Sequence, residues 1–244
     1  MRKLSPDEML QAWERGSDRS PFDRSLALLR CACDDQEAGH LSELPLGARD
    51  SRLLDLRERT FGPEMTALAA CPGCRTQIEL RLNVADLRLP EREAPAILAI
   101  SEQDYSIEFR LPRVSDFLAL GDAASEAAGI QRQLLSRCVL SARLSDHAVE
   151  VEELPAEIVS RVAGAMAAAD PQAETELSLK CVECGLEWQE PFDIESFFWM
   201  EMQAWAMRTL REVHQLAAAY GWSEGEILKM HPRRRGLYLS LMEE

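Results

Sequence analysis

Four cysteines, in two pairs, carry the only spacing in this chain that points to a specific chemistry: Cys71-Pro72-Gly73-Cys74 and Cys181-Val182-Glu183-Cys184. Each is a Cys-x-x-Cys followed by a basic or small residue, Arg75 or Gly185. That is the tight turn in which two thiolates face one ion while backbone amides hydrogen-bond their sulfurs. Two such turns complete a tetrahedral four-sulfur shell, so the pattern predicts one structural Zn2+ held by Cys71, Cys74, Cys181 and Cys184. A shell of four cysteines leaves no position for water, so the metal itself is expected not to be catalytic. The flanks agree: Thr76 to Leu82 alternates apolar and polar after the first turn, Thr175 to Leu179 does so before the second, and Leu186-Glu187-Trp188 follows it. Strand, knuckle, strand, given twice, is a zinc ribbon split by more than a hundred residues.

Two rival chemistries use the same residues. A thioredoxin-type redox pair needs one Cys-x-x-Cys leading from a strand into a helix, whereas here there are two, each opening into a strand-like run. Disulfides need an oxidising compartment, and Met1 to Glu8 lacks the apolar core of a signal peptide. Cys33 continues the stripe Phe22, Leu26, Leu29, and Cys138 continues Ile130, Leu134, so both are expected as core fillers, while Cys31 lies off its stripe.

Other apparent chemistry dissolves on inspection. Gly221-Trp222-Ser223-Glu224-Gly225 matches the hydrolase pattern Gly-x-Ser-x-Gly, but a helix rather than a strand precedes it, no Asp follows Ser223, and only His231 remains downstream. Ser223 is expected to cap a helix instead. The histidines, His40, His147, His214 and His231, are scattered and form no His-Glu-x-x-His pair, and there is no phosphate-cradling glycine loop or dinucleotide fingerprint. The expectation is a non-enzymatic protein without a small-molecule substrate.

The elements that must position the cysteines are mainly helical. Ser5-Pro6-Asp7-Glu8 is a capping box that starts a helix stopped by Gly16; a second helix follows from about Asp23 to Cys33, and Leu53, Leu54, Leu56 and Phe61 mark a third, ended by Gly62-Pro63. Between the knuckles, Ala96 to Ile100 and Tyr105 to Leu111 read as two strands. Ser115-Asp116 can cap a short helix, Ile130, Leu134 and Leu135 define a longer one, and Pro155 opens another with Ile158, Val162 and Met166 on one face. A helix of about 25 residues runs from Asp193 to Tyr220, Ser223-Glu224-Gly225-Glu226 boxes a short one, and a last helix runs from Pro232 to the end. The predicted fold class is α+β, mainly helical, with a split zinc ribbon and a small α+β insertion between its halves. The boundaries drawn are an N-terminal helical region at 1–62, the ribbon at 63–88 and 174–194, the insertion at 89–173, and C-terminal helices at 195–244.

Composition narrows the partners. No segment approaches 18 uninterrupted apolar residues, so no membrane span is expected. The formal charge of −15, made more negative by a tetrathiolate zinc, repels nucleic acid and argues against the transcription or RNA-processing role that many zinc ribbons serve. Phe197-Phe198-Trp199-Met200 to Met207 is apolar right round its helix and must be buried on more than one side. Phe198, Met202 and Trp205 are expected on the core. Trp199 lies 120° away from Trp205 on the helical wheel and is expected, with Phe197 or Met200, to face a partner. Arg233-Arg234-Arg235 is the one basic cluster, a candidate contact for an acidic protein.

Taken together, Cys-Pro-Gly-Cys, Cys-Val-Glu-Cys-Gly-Leu-Glu-Trp, Pro191-Phe192-Asp193-Ile194, Ala219 to Leu228 and Arg233 to Leu239 resemble the baseplate protein family of T-even-type phages and similar proteins encoded with contractile injection systems. The likeness spans roughly residues 45 to 244. It implies a component or assembly factor of the baseplate hub, binding other baseplate or tail proteins in the cytoplasm of the producing bacterial cell. It supplies no catalytic residue, and the zinc rests on this chain's own cysteine spacing.

Overall fold

The computed structural model describes residues 1–90, 95–120 and 127–242. It divides into two compact units, Met1–Ala38 with Ile194–Glu244, and Gly39–Asp193. These units cut across the boundaries drawn from the sequence, since residues 39–62 group with the ribbon and insertion while the C-terminal helices group with the first ones.

The first unit begins with α1 (Pro6–Gly16), where the Ser5 hydroxyl accepts the Glu8 amide and the Glu8 carboxylate accepts the Ser5 amide, the capping box legible in the sequence. Ser20 caps α2 (Pro21–Ala32) through the Asp23 amide, which starts that helix two residues earlier than its apolar stripe suggests. Cys33 is the C-cap of α2 and half-buried rather than a core filler, and a single turn, α3 (Asp35–Ala38), follows.

The second unit opens on α4 (Leu46–Phe61), ended by Gly62 at φ 95°. Its N-cap is Pro45, which has no side-chain acceptor to offer; the Asp170 carboxylate, 123 residues along the chain, takes the Gly47 amide at 2.8 Å instead. Strands β1 (Glu64–Ala70) and β2 (Gln77–Asn83) pair antiparallel around the first knuckle and lead into a short α5 (Val84–Leu87). Then come β3 (Leu98–Glu102), β4 (Tyr105–Phe109), α6 (Val114–Leu120) and α7 (Ala127–Cys138). The chain passes from α7 directly into β5 (Val139–Leu144), which the sequence reading does not contain, and turns at Ser145 into β6 (His147–Ala148). These complete a four-stranded antiparallel sheet in the order β3-β4-β5-β6. Helix α8 (Ala156–Ala169) turns Ile158, Val162 and Met166 into a core with Ile107, Phe109, Leu135 and Cys138. Burial pushes the Cys138 thiol up to about 11, which leaves it an inert core filler as expected. The last pair, β7 (Glu176–Lys180) and β8 (Glu187–Pro191), flanks the second knuckle.

Helix α9 (Ile194–Tyr220) returns to the first unit and stops at Gly221, φ 69°. Ser223 forms the second capping box, for α10 (Glu224–Lys229), so its hydroxyl is occupied as a helix cap. Helix α11 (Pro232–Ser240) ends short of the expected terminus, whose last two residues lie outside the described ones. Leu10, Ala206, Val213, Leu216, Ile227 and Leu228 form one buried cluster of this unit, with Trp13, Trp205 and Tyr238 packed around it. The fold is thus α+β, mainly helical with three small antiparallel sheets among the described residues. No helix among the described residues is long and apolar enough to cross a membrane.

Candidate metal centre

The two knuckles fold by the same backbone rule. In the first, the Arg75 amide donates to the Cys71 carbonyl at 2.8 Å and the Cys71 amide to the Thr76 carbonyl at 3.0 Å; in the second, Gly185 donates to Cys181 at 3.0 Å and Cys181 to Leu186 at 2.8 Å. Closing so tight a turn needs a left-handed residue after the second cysteine. Arg75 (φ 63°) and Gly185 (φ 73°) supply it, the glycine without steric cost. A Cβ added at Gly73 would lie 3.0 Å from Leu186 Cδ2 and 3.7 Å from Cys184 Sγ, so the glycine lets one knuckle approach the other closely.

That approach brings together all four cysteines that the sequence singled out. Cys71 Sγ lies 3.6 Å from Cys184 Sγ and Cys74 Sγ 3.5 Å from Cys181 Sγ, and the four sulfurs fall within 4.8 Å of one another. A tetrahedral zinc with bonds of about 2.3 Å holds its sulfurs about 3.8 Å apart, so the cluster is the right size for one ion. Cys71 and Cys181 are buried, whereas Cys74 and Cys184 sit at the surface. Both knuckles open into strands, β2 and β8, not into the helix that a thioredoxin-type thiol pair requires.

The electrostatics also call for a cation. Thr76, through its hydroxyl 3.3 Å away and then its amide, lowers the Cys74 thiol to about 6, and the Cys74 and Gly73 amides lower Cys71. Cys184 receives the same help from the Leu186 amide, yet the neighbouring sulfurs push it up to about 12. Turn amides favour thiolates that cannot all ionise side by side. A dication at their centre removes that conflict, and a four-sulfur shell then leaves no open coordination position.

The residues expected to face a partner divide. Met200 is 63% exposed and Phe197 half-buried, but Trp199 is only 5% exposed. Its ring packs over Gly16, and the Arg24 guanidinium lies 5.1 Å from its centroid. Trp199 is therefore a packed residue of the first unit, while Trp205, the expected core tryptophan, is the more accessible of the two. Arg235 is likewise buried: its Nε donates to Glu212 Oε2 at 3.0 Å and its Nη1 to the Met230 carbonyl at 3.0 Å, which makes it a structural ion pair. Arg233 and Arg234 are exposed. The wheel separates residues on opposite sides of a helix but does not say how wide its buried arc is. Nor could the sequence pair Gly16 with an indole.

No match was found when the chain was compared with curated proteins or with solved structures. The family model for the T4 bacteriophage base plate protein matches residues 27–199. The matched stretch starts earlier than the resemblance noted from the motifs and stops before most of α9, so α10 and α11 lie outside it. It takes in both knuckles and well over half of the 244 residues, and the chain belongs to the T4 bacteriophage base plate protein family.

Proposed function

We propose that this protein is a non-enzymatic structural or assembly component of a phage-type baseplate hub, or of the related contractile injection apparatus. It works by protein–protein contact in the cytoplasm of the producing bacterial cell. Membership of the base plate family carries this reading. One Zn2+ held by Cys71, Cys74, Cys181 and Cys184 fastens the two ribbon hairpins together and, being fully coordinated, serves the fold rather than catalysis. Phe197 and Met200 on α9, with Arg233 and Arg234 on α11, are the surface residues offered to other baseplate or tail subunits. Nucleic acid and small-molecule substrates are not partners in this reading, since the charge of −15 opposes the first and a closed metal shell offers nothing to the second.

The test has two parts. Metal analysis of the purified protein should give about one zinc per chain, lost on Cys181→Ser together with thermal stability. Co-expression with baseplate and tail subunits of the same phage-type apparatus should yield a complex with at least one of them. Metal-free protein of unchanged stability defeats the zinc assignment, and failure to bind any of these tail subunits defeats the assembly role.

A further inference from the structure

The outward face of α11 combines leucine with arginine. At 100° per residue, Arg233, Leu237, the C-cap Leu241, whose backbone is still helical, and Arg234 fall within a single 100° arc, at 0°, 40°, 80° and 100° from Arg233. The side next to this arc, Tyr238 at 140° and Arg235 at 200°, is pinned inward. Arg235 bonds Glu212 and the Met230 carbonyl, and the Tyr238 ring meets those of Trp222 at 4.8 Å and Tyr220 at 5.6 Å. The helix thus has no freedom to roll its leucines under. Leu237 is 59% and Leu241 60% exposed, two large apolar side chains one turn apart on the surface.

Charge says what could cover them. Residues 39–193 hold 27 acidic and 15 basic side chains, so nearly all of the chain's excess negative charge sits in the second unit. Residues 194–244 hold six basic and seven acidic ones; of the latter, Glu195 is buried and Glu212 is taken by Arg235. The segment as a whole is close to neutral and its basic character is local to α11, where Arg233 and Arg234 stand beside the exposed leucines with no carboxylate within ion-pair distance among the described residues.

We infer that the outer face of α11 docks an acidic amphipathic helix of a partner protein. The partner's apolar stripe would cover Leu237 and Leu241, and its flanking carboxylates would meet Arg233 and Arg234. A second copy placed face to face on the same surface would oppose arginine to arginine, and nucleic acid would gain no use from the leucines. This surface rests on the reading of the protein as one that acts by protein contact, and it names the partner's chemistry.

The direct probe is a fluorescein-labelled synthetic helix with leucines at i and i+4 flanked by glutamates, titrated with the full chain and followed by anisotropy. Wild type should bind it, with affinity falling as salt rises from about 50 to about 300 mM. Arg233→Glu with Arg234→Glu, and separately Leu237→Ser with Leu241→Ser, should each weaken binding about tenfold or more while circular dichroism stays unchanged. A matched peptide with lysine for glutamate should not bind. The proposal is overturned if wild type ignores the acidic peptide, if both double variants bind as well as wild type, or if the lysine peptide binds equally. It is also overturned if these variants instead abolish a dimer seen in sedimentation or binding to a DNA oligonucleotide. Because the peptide is not a tail protein, a negative result here leaves the baseplate role to its own co-expression test.

Discussion

Replacing Gly16 by alanine sets two effects against each other at the contact between α1 and α9. In an exposed helix interior the change would gain about 1 kcal/mol of helix propensity, and less at the last residue of α1. The added Cβ, however, would fall 2.5 Å from Trp199 Cη2 and 2.7 Å from Cζ3. Carbon atoms do not sit that close, and the obstacle is a rigid indole held down in a site 5% exposed, not the loose end of a flexible chain. Overpacking of this kind costs about 1 to 3 kcal/mol, so the clash wins and Gly16→Ala should be net destabilising by about 1 to 2 kcal/mol. The clashing atoms belong to the outer edge of the indole, which phenylalanine lacks. Trp199→Phe leaves a small cavity by itself, yet it should absorb the new methyl, so the double variant should be less destabilised than the sum of the singles by about 1 kcal/mol. Urea unfolding of the four proteins, followed by circular dichroism, measures the cycle. If Gly16→Ala is more stable than wild type, or if the two costs simply add, the indole does not lie over Gly16. Trp199 would then return to the surface role that the helical wheel suggested.

Three further outcomes follow from other contacts. Asp170→Ala removes the side-chain acceptor of the Gly47 amide at the N-terminus of α4 and should cost about 1 to 2 kcal/mol, whereas Asp170→Asn should recover most of it; thermal unfolding distinguishes them. Arg235→Ala strands Glu212 and should destabilise by about 3 kcal/mol, while Arg233→Ala and Arg234→Ala stay within about 0.5 kcal/mol, so only the latter two are clean probes of binding. Glu8 is held down at about 2 by the Arg2 guanidinium and then the Ser5 amide; a depressed carboxylate contributes stability above its unfolded value near 4.3 that is lost as pH falls toward 2. Glu8→Gln should therefore lower the thermal midpoint at pH 7, and the gap from wild type should close between about pH 4 and pH 2.

The four-cysteine cluster was legible because its information is local and repeated. Four cysteines at fixed spacing, Gly185 after one pair and alternating flanks specify two hairpins without reference to anything distant. Both capping boxes and the long periodicity of α9 were legible for the same reason. What escaped depends on tertiary neighbours. Strand β5 follows α7 without a break, and its run Val139 to Leu144 continues an apolar stripe that also suits a helix; pairing with β4 decides the matter. Arg235 and Arg233 are alike as letters, and only the position of Glu212 on α9 makes one of them structural.

The separation of the two knuckles also orders events in time. Cys74 and Cys181 are 107 residues apart, so at about 5 to 20 residues per second the ribosome delivers the second pair of ligands roughly 5 to 20 s after the first. Throughout that interval β1 and β2 are a lone two-stranded hairpin, marginal in water, with two thiols and half a coordination shell. Under the proposed zinc assignment, the nascent chain completes its four-sulfur shell only once Cys184 has emerged. Closure of the ribbon then acts as a late checkpoint, passed only by a chain synthesised beyond Cys184.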